Sequence, residues 1–195
     1  MDSFFRFNAF ILSYTNFTNE ELKTFNDMCE LQSFKKGVVM IQKNEVCSKL
    51  YFLTKGIVKY WLINQNGEEV IYNFRQENMS LTAYSFYNHN IAMFNVECLE
   101  DCNVISIPFE ALGYVTQNFK NGPILRSFLA EAHVLELVNL LTDKDTKSII
   151  ERYNKIDNQF PGIQQRISQN TLANYLGVSQ EHLSRLKKAR IDKNQ

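Results

Sequence analysis

Eighteen residues, QNTLANYLGVSQEHLSRL from Gln169 to Leu186, leave a chain little freedom of local fold. Leu172, Ala173 and Leu176 share one helical face, Gly177 breaks it, and Ser179 opens a second helix carrying Leu183 and Leu186. Ala173 is small enough for the two helices to approach closely, Gly177 can take the positive φ of the turn, and Val178 fills the corner. This spacing predicts a helix-turn-helix, with Gln180, Glu181, His182 and Arg185 on the outer face of the second helix, where base edges would be read. An ordinary helical hairpin without a nucleic-acid role is the competing reading.

Charge bears on that choice. The 195 residues sum to zero, yet residues 144–195 hold ten Lys or Arg against five Asp or Glu, and residues 1–143 hold eleven against sixteen. A basic C-terminal module on an acidic body suits phosphate contacts, which release counterions. An incidental solvated face gives the same numbers. Hydrophobic content of 45% supports a core. No apolar run approaches the ~20 residues of a membrane span. MDSFFRFNAF has an early acid and no small-residue cleavage site, so it is not read as a secretion signal, and a cytoplasmic location is expected.

Cys29, Cys47, Cys98 and Cys102 form no C-x-x-C pair, and His89, His133 and His182 lie far apart. Structural zinc needs clustered ligands and an iron–sulfur cluster four placed thiolates, so neither is expected, and buried free thiols are.

The period of the chain changes twice. A helix is predicted from Thr18, with Glu21 completing a capping box and Leu22, Phe25, Met28 and Leu31 at helical spacing. VVMIQK, KLYFLT, IVKYWLIN, EEVIYNF, MFNVECLE and NVISI then read as strands, separated by turn signals that include Asn66-Gly67. Seven or eight short strands without intervening helices indicate an antiparallel roll or jelly roll. After Pro108 come a short helix in FEALGYVTQNF and a longer one in PILRSFLAEAHVLELVNLLTD. Ile124, Leu125, Phe128, Leu129, Ala132, Leu135, Leu137, Val138, Leu140 and Leu141 give the long helix more apolar surface than one sheet would cover. A partner helix, or burial in one large domain, would use the surplus. A helix from Thr146 to Ile156 and the loop DNQFPG lead into the helix-turn-helix. The expected fold is α+β, divided into a roll (1–122), a dimerisation helix (123–143) and a helix-turn-helix domain (144–195).

This order of parts resembles the Crp/Fnr family of transcription regulators, most firmly in FLTKGIVKYWLINQNGEEVIYNF and ISQNTLANYLGVSQEHLSRLKK. The resemblance implies a homodimer joined through the 123–143 helix and bound to double-stranded DNA at a two-fold symmetric operator, with half-sites about one helical turn apart. It also implies RNA polymerase as a partner and an effector pocket coupled to the readers through the long helix. On the family pattern Gln180, Glu181 and Arg185 occupy base-reading positions, and their chemistry suits adenine, cytosine and guanine respectively. Ser179 would cap the helix and touch a phosphate. Lys187, Lys188 and Arg190 are phosphate candidates or solvated helix-end charges. The chain reaches only Gln195, so a shortened or absent wing is expected.

Family members that bind cyclic AMP carry a Gly-Glu pair and an Arg-Ser pair. Alignment puts Leu81-Thr82 and Ala92-Met93 there, without a cation or glycine cradle for a cyclic phosphate, and burying that anion unpaired would cost several kcal/mol. Cyclic AMP binding is therefore not expected. Leu81, Thr82, Tyr84, Ala92 and Met93 mark a candidate pocket for an unknown small molecule, or simply fill the roll. No cofactor, metal or catalytic residue is expected. A cupin-type enzyme would need clustered His and Glu ligands, and His89 alone lies in the roll. A sensing or protein-interaction module whose helix-turn-helix no longer binds DNA is the other alternative.

Overall fold

The computed structural model describes residues 3–82 and 86–193. Helix α1 (Ser3–Leu12) is apolar on nearly every face, so it shows no helical stripe in the sequence. It forms because Phe7 and Ile11 are buried on the roll, with Phe7 between the rings of Phe25 and Phe52 at 5.5 and 5.4 Å. Helix α2 (Asn19–Asp27) starts as its sequence predicts. The Thr18 hydroxyl accepts from the Glu21 N–H at 3.2 Å, and the Glu21 carboxylate accepts from the Thr18 N–H at 2.8 Å. The expected continuation to Leu31 does not occur. Strand pairing takes over at β1 (Glu30–Phe34), where Leu31 lies opposite Ile105.

Seven further strands follow: β2 (Val39–Ile41), β3 (Lys49–Lys55), β4 (Val58–Ile63), β5 (Glu69–Arg75), β6 (Ser80–Leu81), β7 (Asn95–Cys98) and β8 (Cys102–Pro108). They form two four-stranded sheets, ordered β1-β8-β3-β6 and β2-β7-β4-β5, whose pairings are all antiparallel. Phe52, Leu53, Val58, Val96, Val104 and Ile105 are wholly buried in the core of this roll. Asn66-Gly67 does sit in the β4–β5 hairpin, but only Gly67 takes a positive φ, of 80°. The Asn64 carboxamide closes that loop by accepting from the N–H groups of Asn66 and Glu68. Gly56, at φ 107°, is needed between β3 and β4, because a Cβ there would lie 2.5 Å from the Cys102 sulfur.

The helical half contains α3 (Phe109–Asn118), α4 (Gly122–Thr146), α5 (Ile149–Gln159), α6 (Ile163–Arg166), α7 (Gln169–Leu176) and α8 (Gln180–Lys193). Thr146 closes α4 rather than opening α5. Ser148 caps α5 instead, in a reciprocal box with Glu151. On α4, Leu125, Leu129 and His133 are buried, and Glu136, Leu140 and Asp143 continue the same face. The opposite face carries Val134, Leu135, Val138 and Leu141, which are 53–63% exposed.

A second core joins roll to helices. Ile57, Ile71 and Phe74 pack with Tyr153, Ile156, Phe160, Ile163, Leu172, Leu176 and Leu183. All four cysteines are free thiols, and three of them are buried. Among the described residues no cluster of His, Cys, Asp or Glu could hold a metal ion, and no helix is long and apolar enough to cross a membrane.

Candidate nucleic-acid interface

Local chemistry shapes α7 and α8. Ser168 caps α7 by accepting from the Thr171 N–H at 3.0 Å. Gly177 ends it at φ 71°, and the Val178 N–H donates to the Ala173 carbonyl at 3.0 Å, a left-handed helix stop. The Ser179 hydroxyl accepts from the His182 N–H at 3.2 Å and so caps α8. Leu172, Ala173, Leu176 and Leu183 are buried between the two helices and the module beneath them. Full burial of each leucine contributes about 1.5–3 kcal/mol.

That packing turns the other side of α8 outward. Gln180, Glu181, Ser184, Arg185 and Lys188 are all exposed, and their spacing makes one continuous polar face beside the exposed Ser179. The Glu181 carboxyl is held below the usual range by its own N–H, then by the Ser179 hydroxyl and the Arg185 charge. It therefore stays an acceptor at neutral pH. Arg185 presents a guanidinium able to make two parallel hydrogen bonds.

Several cations of the module are committed elsewhere. Lys187 is half-buried, donates to Gln169 Oε1 at 2.5 Å and lies 5.8 Å over the Tyr153 ring. Lys147 and Lys155 both bind Asp143, and Arg166 binds Glu77 and Glu100. The charge surplus counted along the sequence thus overstates what faces outward, leaving Arg185 and Lys188 on the α8 face. The side chain of Arg190 falls outside the described residues.

The module is anchored to the roll by contacts that sequence reasoning missed. The Asn174 side chain on α7 acts on the free edge of β5 as a short extra strand would. Its Oδ1 accepts from the Ile71 N–H at 2.8 Å, and its Nδ2 donates to the Glu69 carbonyl at 2.7 Å. Arg166 reaches Glu77 with two hydrogen bonds of 2.7 and 2.8 Å. Burial by itself pushes Glu77 up, but the Arg166 guanidinium and the Gly56 N–H reverse this and hold the carboxyl at about 2.

A third joint links the roll to α4. Arg75, only 2% exposed, binds the Glu136 carboxylate through both terminal nitrogens, and Asn73 donates to the same carboxylate at 2.8 Å. Arg75 also lies 5.2 Å over the Tyr60 ring and donates to the Phe74 and Ser80 carbonyls. His133 beside it is held down to about 3 by burial, then by the Arg75 charge, and stays neutral. A lone arginine ending the apolar run EEVIYNF was the available sequence signal for this joint.

The candidate pocket residues do not behave alike. Leu81, Thr82 and Ala92 are buried, and the Thr82 backbone bonds the Tyr60 hydroxyl through both its N–H and its carbonyl. Met93 is 62% exposed, so it does not line the interior of the roll. Tyr84 lies outside the described residues.

Residues 31–119 match the family model of the cyclic nucleotide-binding domain. Over 190 residues the chain is 24% identical to the HTH-type transcriptional regulator ArcR of Staphylococcus epidermidis, covering 90% of this chain and 82% of that protein. Among solved structures, the c-di-GMP-responsive global regulator CLP of Xanthomonas campestris superposes with a TM-score of 0.68 at 13% identity, covering 90% of this chain and 93% of that one. A Eubacterium rectale protein described as a transcriptional regulator of the Crp/Fnr family gives 0.68 at 18% identity, covering 90% and 85%. The chain has the fold of these regulators: an antiparallel roll with a domain of the cyclic nucleotide-binding type, a long helix and a C-terminal helix-turn-helix.

Proposed function

We propose that this chain is a Crp/Fnr-type transcription regulator, cytoplasmic, that binds double-stranded DNA as a homodimer through α8. The observation that carries this reading is the exposed row Gln180, Glu181, Arg185 and Lys188 on a helix whose other face is buried and whose module is tied to the roll. An α-helix presented in this way fits the major groove. ArcR of S. epidermidis, similar along most of both chains, is a regulator of the helix-turn-helix type.

The exposed stripe Val134, Leu135, Val138 and Leu141 suits a second copy of α4, since spacings of three and four residues make a continuous seam. A two-fold dimer would then place two copies of α8 on a two-fold operator. Cyclic AMP is not the signal in this reading. Leu81 and Thr82 are packed into the roll, and the buried cation nearby, Arg75, is already neutralised by Glu136.

In vitro selection of bound duplexes, followed by fluorescence anisotropy, tests the assignment. Arg185→Ala should weaken binding to the selected operator by about 1–3 kcal/mol. Equal affinity of variant and parent would show that α8 does not read the bases.

A further inference from the structure

A cleft of about 240 Å³ lies where the roll, the long helix and the helix-turn-helix module meet. Its walls come from β5, α4, α5 and α7. Tyr72, Leu140 and Tyr175 supply apolar surface, while Glu136, Asp143, Lys144 and Arg152 bring charge to the rim.

The bookkeeping of those charges is one-sided. Both carboxylates are engaged, Glu136 by Arg75 and Asn73, and Asp143 by Lys147 and Lys155. The two cations of the rim are not so matched. Lys144 and Arg152 have no carboxylate within ion-pair distance among the described residues. Arg152 spends one terminal nitrogen on the Leu176 carbonyl at 2.9 Å, where α7 ends. Its Nε is buried and has no hydrogen-bond partner among the described residues. An orphaned buried donor on a cation costs free energy unless an acceptor arrives. Burial holds the Tyr175 phenol up at about 12, so it adds no negative charge.

We propose that this cleft binds a small organic anion, its oxyanion on Arg152 and Lys144 and its apolar body against Tyr72, Leu140 and Tyr175, and that this anion is an effector of DNA binding. The volume is below the roughly 300–1,000 Å³ of drug-sized pockets, so the ligand is a compact carboxylate or phosphate rather than a dinucleotide. Such an occupant touches all three parts of the molecule at once, and tightens the arrangement in which the α8 face is exposed. Its action on DNA rests on the regulator reading above. Its binding does not.

Calorimetric titration of the full chain with benzoate and with phenyl phosphate tests the site, with benzamide as the neutral control. The two anions distinguish carboxylate from phosphate chemistry. Saturable binding of either anion is expected, and none of benzamide. Arg152→Gln should weaken it about tenfold or more, the value of one lost charge-assisted hydrogen bond. Leu140→Trp should abolish binding by filling the cleft without touching a cation, and it decides the matter if the Arg152 variant does not fold. Absence of saturable anion binding to the parent chain, or undiminished binding to either folded variant, would overturn the proposal. On a selected operator the bound anion should lower the Kd several-fold. An unchanged Kd would overturn the effector role. A chain that bound no duplex would refute the regulator reading and leave the calorimetry to decide the cleft.

Discussion

Replacing Asn174 with Ala removes the two hydrogen bonds that fasten α7 to β5, at 2.8 and 2.7 Å. Ile71 is buried, so its N–H would be left without a partner, which costs about 1–3 kcal/mol. The Glu69 carbonyl is half-buried, and water can reach it once the carboxamide is gone. The net loss comes to about 2 kcal/mol, or roughly 4–8 °C in Tm at about 2–4 °C per kcal/mol for a chain of this size. Thermal and urea unfolding of the full chain would measure it. Asn174→Asp separates hydrogen bonding from packing. Its carboxylate can still accept from the Ile71 N–H, but it sets a negative oxygen against the Glu69 carbonyl. That variant should lose at least as much stability at neutral pH and regain part of it in acid, where the protonated side chain can donate again. An alanine variant within about 0.5 kcal/mol of the parent would refute the reasoning, because that is how an ordinary surface substitution behaves.

Two more outcomes follow from the joints and the exposed stripe. Val138→Glu on the outer face of α4 should shift the solution mass from dimer to monomer and weaken operator binding, as read by light scattering and anisotropy, with little change in far-ultraviolet circular dichroism. The Glu77 carboxyl is pushed up by burial but held at about 2 by Arg166 and Gly56, below its usual value of 4.5. Its depressed folded value contributes stability above pH ~4.5 that is lost as pH falls toward ~2, and Glu77→Gln should flatten that part of the stability profile measured by urea midpoints.

Where a structure follows from neighbours in sequence, this chain is legible. The Thr18–Glu21 box, the stop at Gly177 and the cap at Ser179 each rest on groups within five residues of one another, and each forms as its chemistry dictates. The strands of the roll follow from β-branched and aromatic runs between turn residues, and the order of parts reveals the architecture. Legibility fails where distant partners decide. ELQSF continues a helical leucine spacing, yet its backbone pairs with β8, some seventy residues on. Helix α1 has no period to read because both of its faces are apolar. Within the candidate site, the exposure of Gln180, Glu181 and Arg185 on α8 was readable from spacing, whereas His182, expected beside them, is half-buried. The groups that aim the module were not readable, since Asn174 grips backbone 103 and 105 residues away and Arg75 finds Glu136 across 61. No local pattern encodes such pairs.

The grip of Asn174 on β5 has a consequence for the roll itself. β5 is the outermost strand of its sheet, and an unguarded edge is a template for pairing with another chain. The helix-turn-helix module covers that edge, so it shields the roll from such pairing. Cut free at residue 122, the roll would expose the Ile71 N–H and Glu69 carbonyl beside the apolar surface of Ile71 and Phe74. Self-association of the truncated roll through β5 is the expected cost of separating the two parts, and a charged residue placed on that edge would be the remedy.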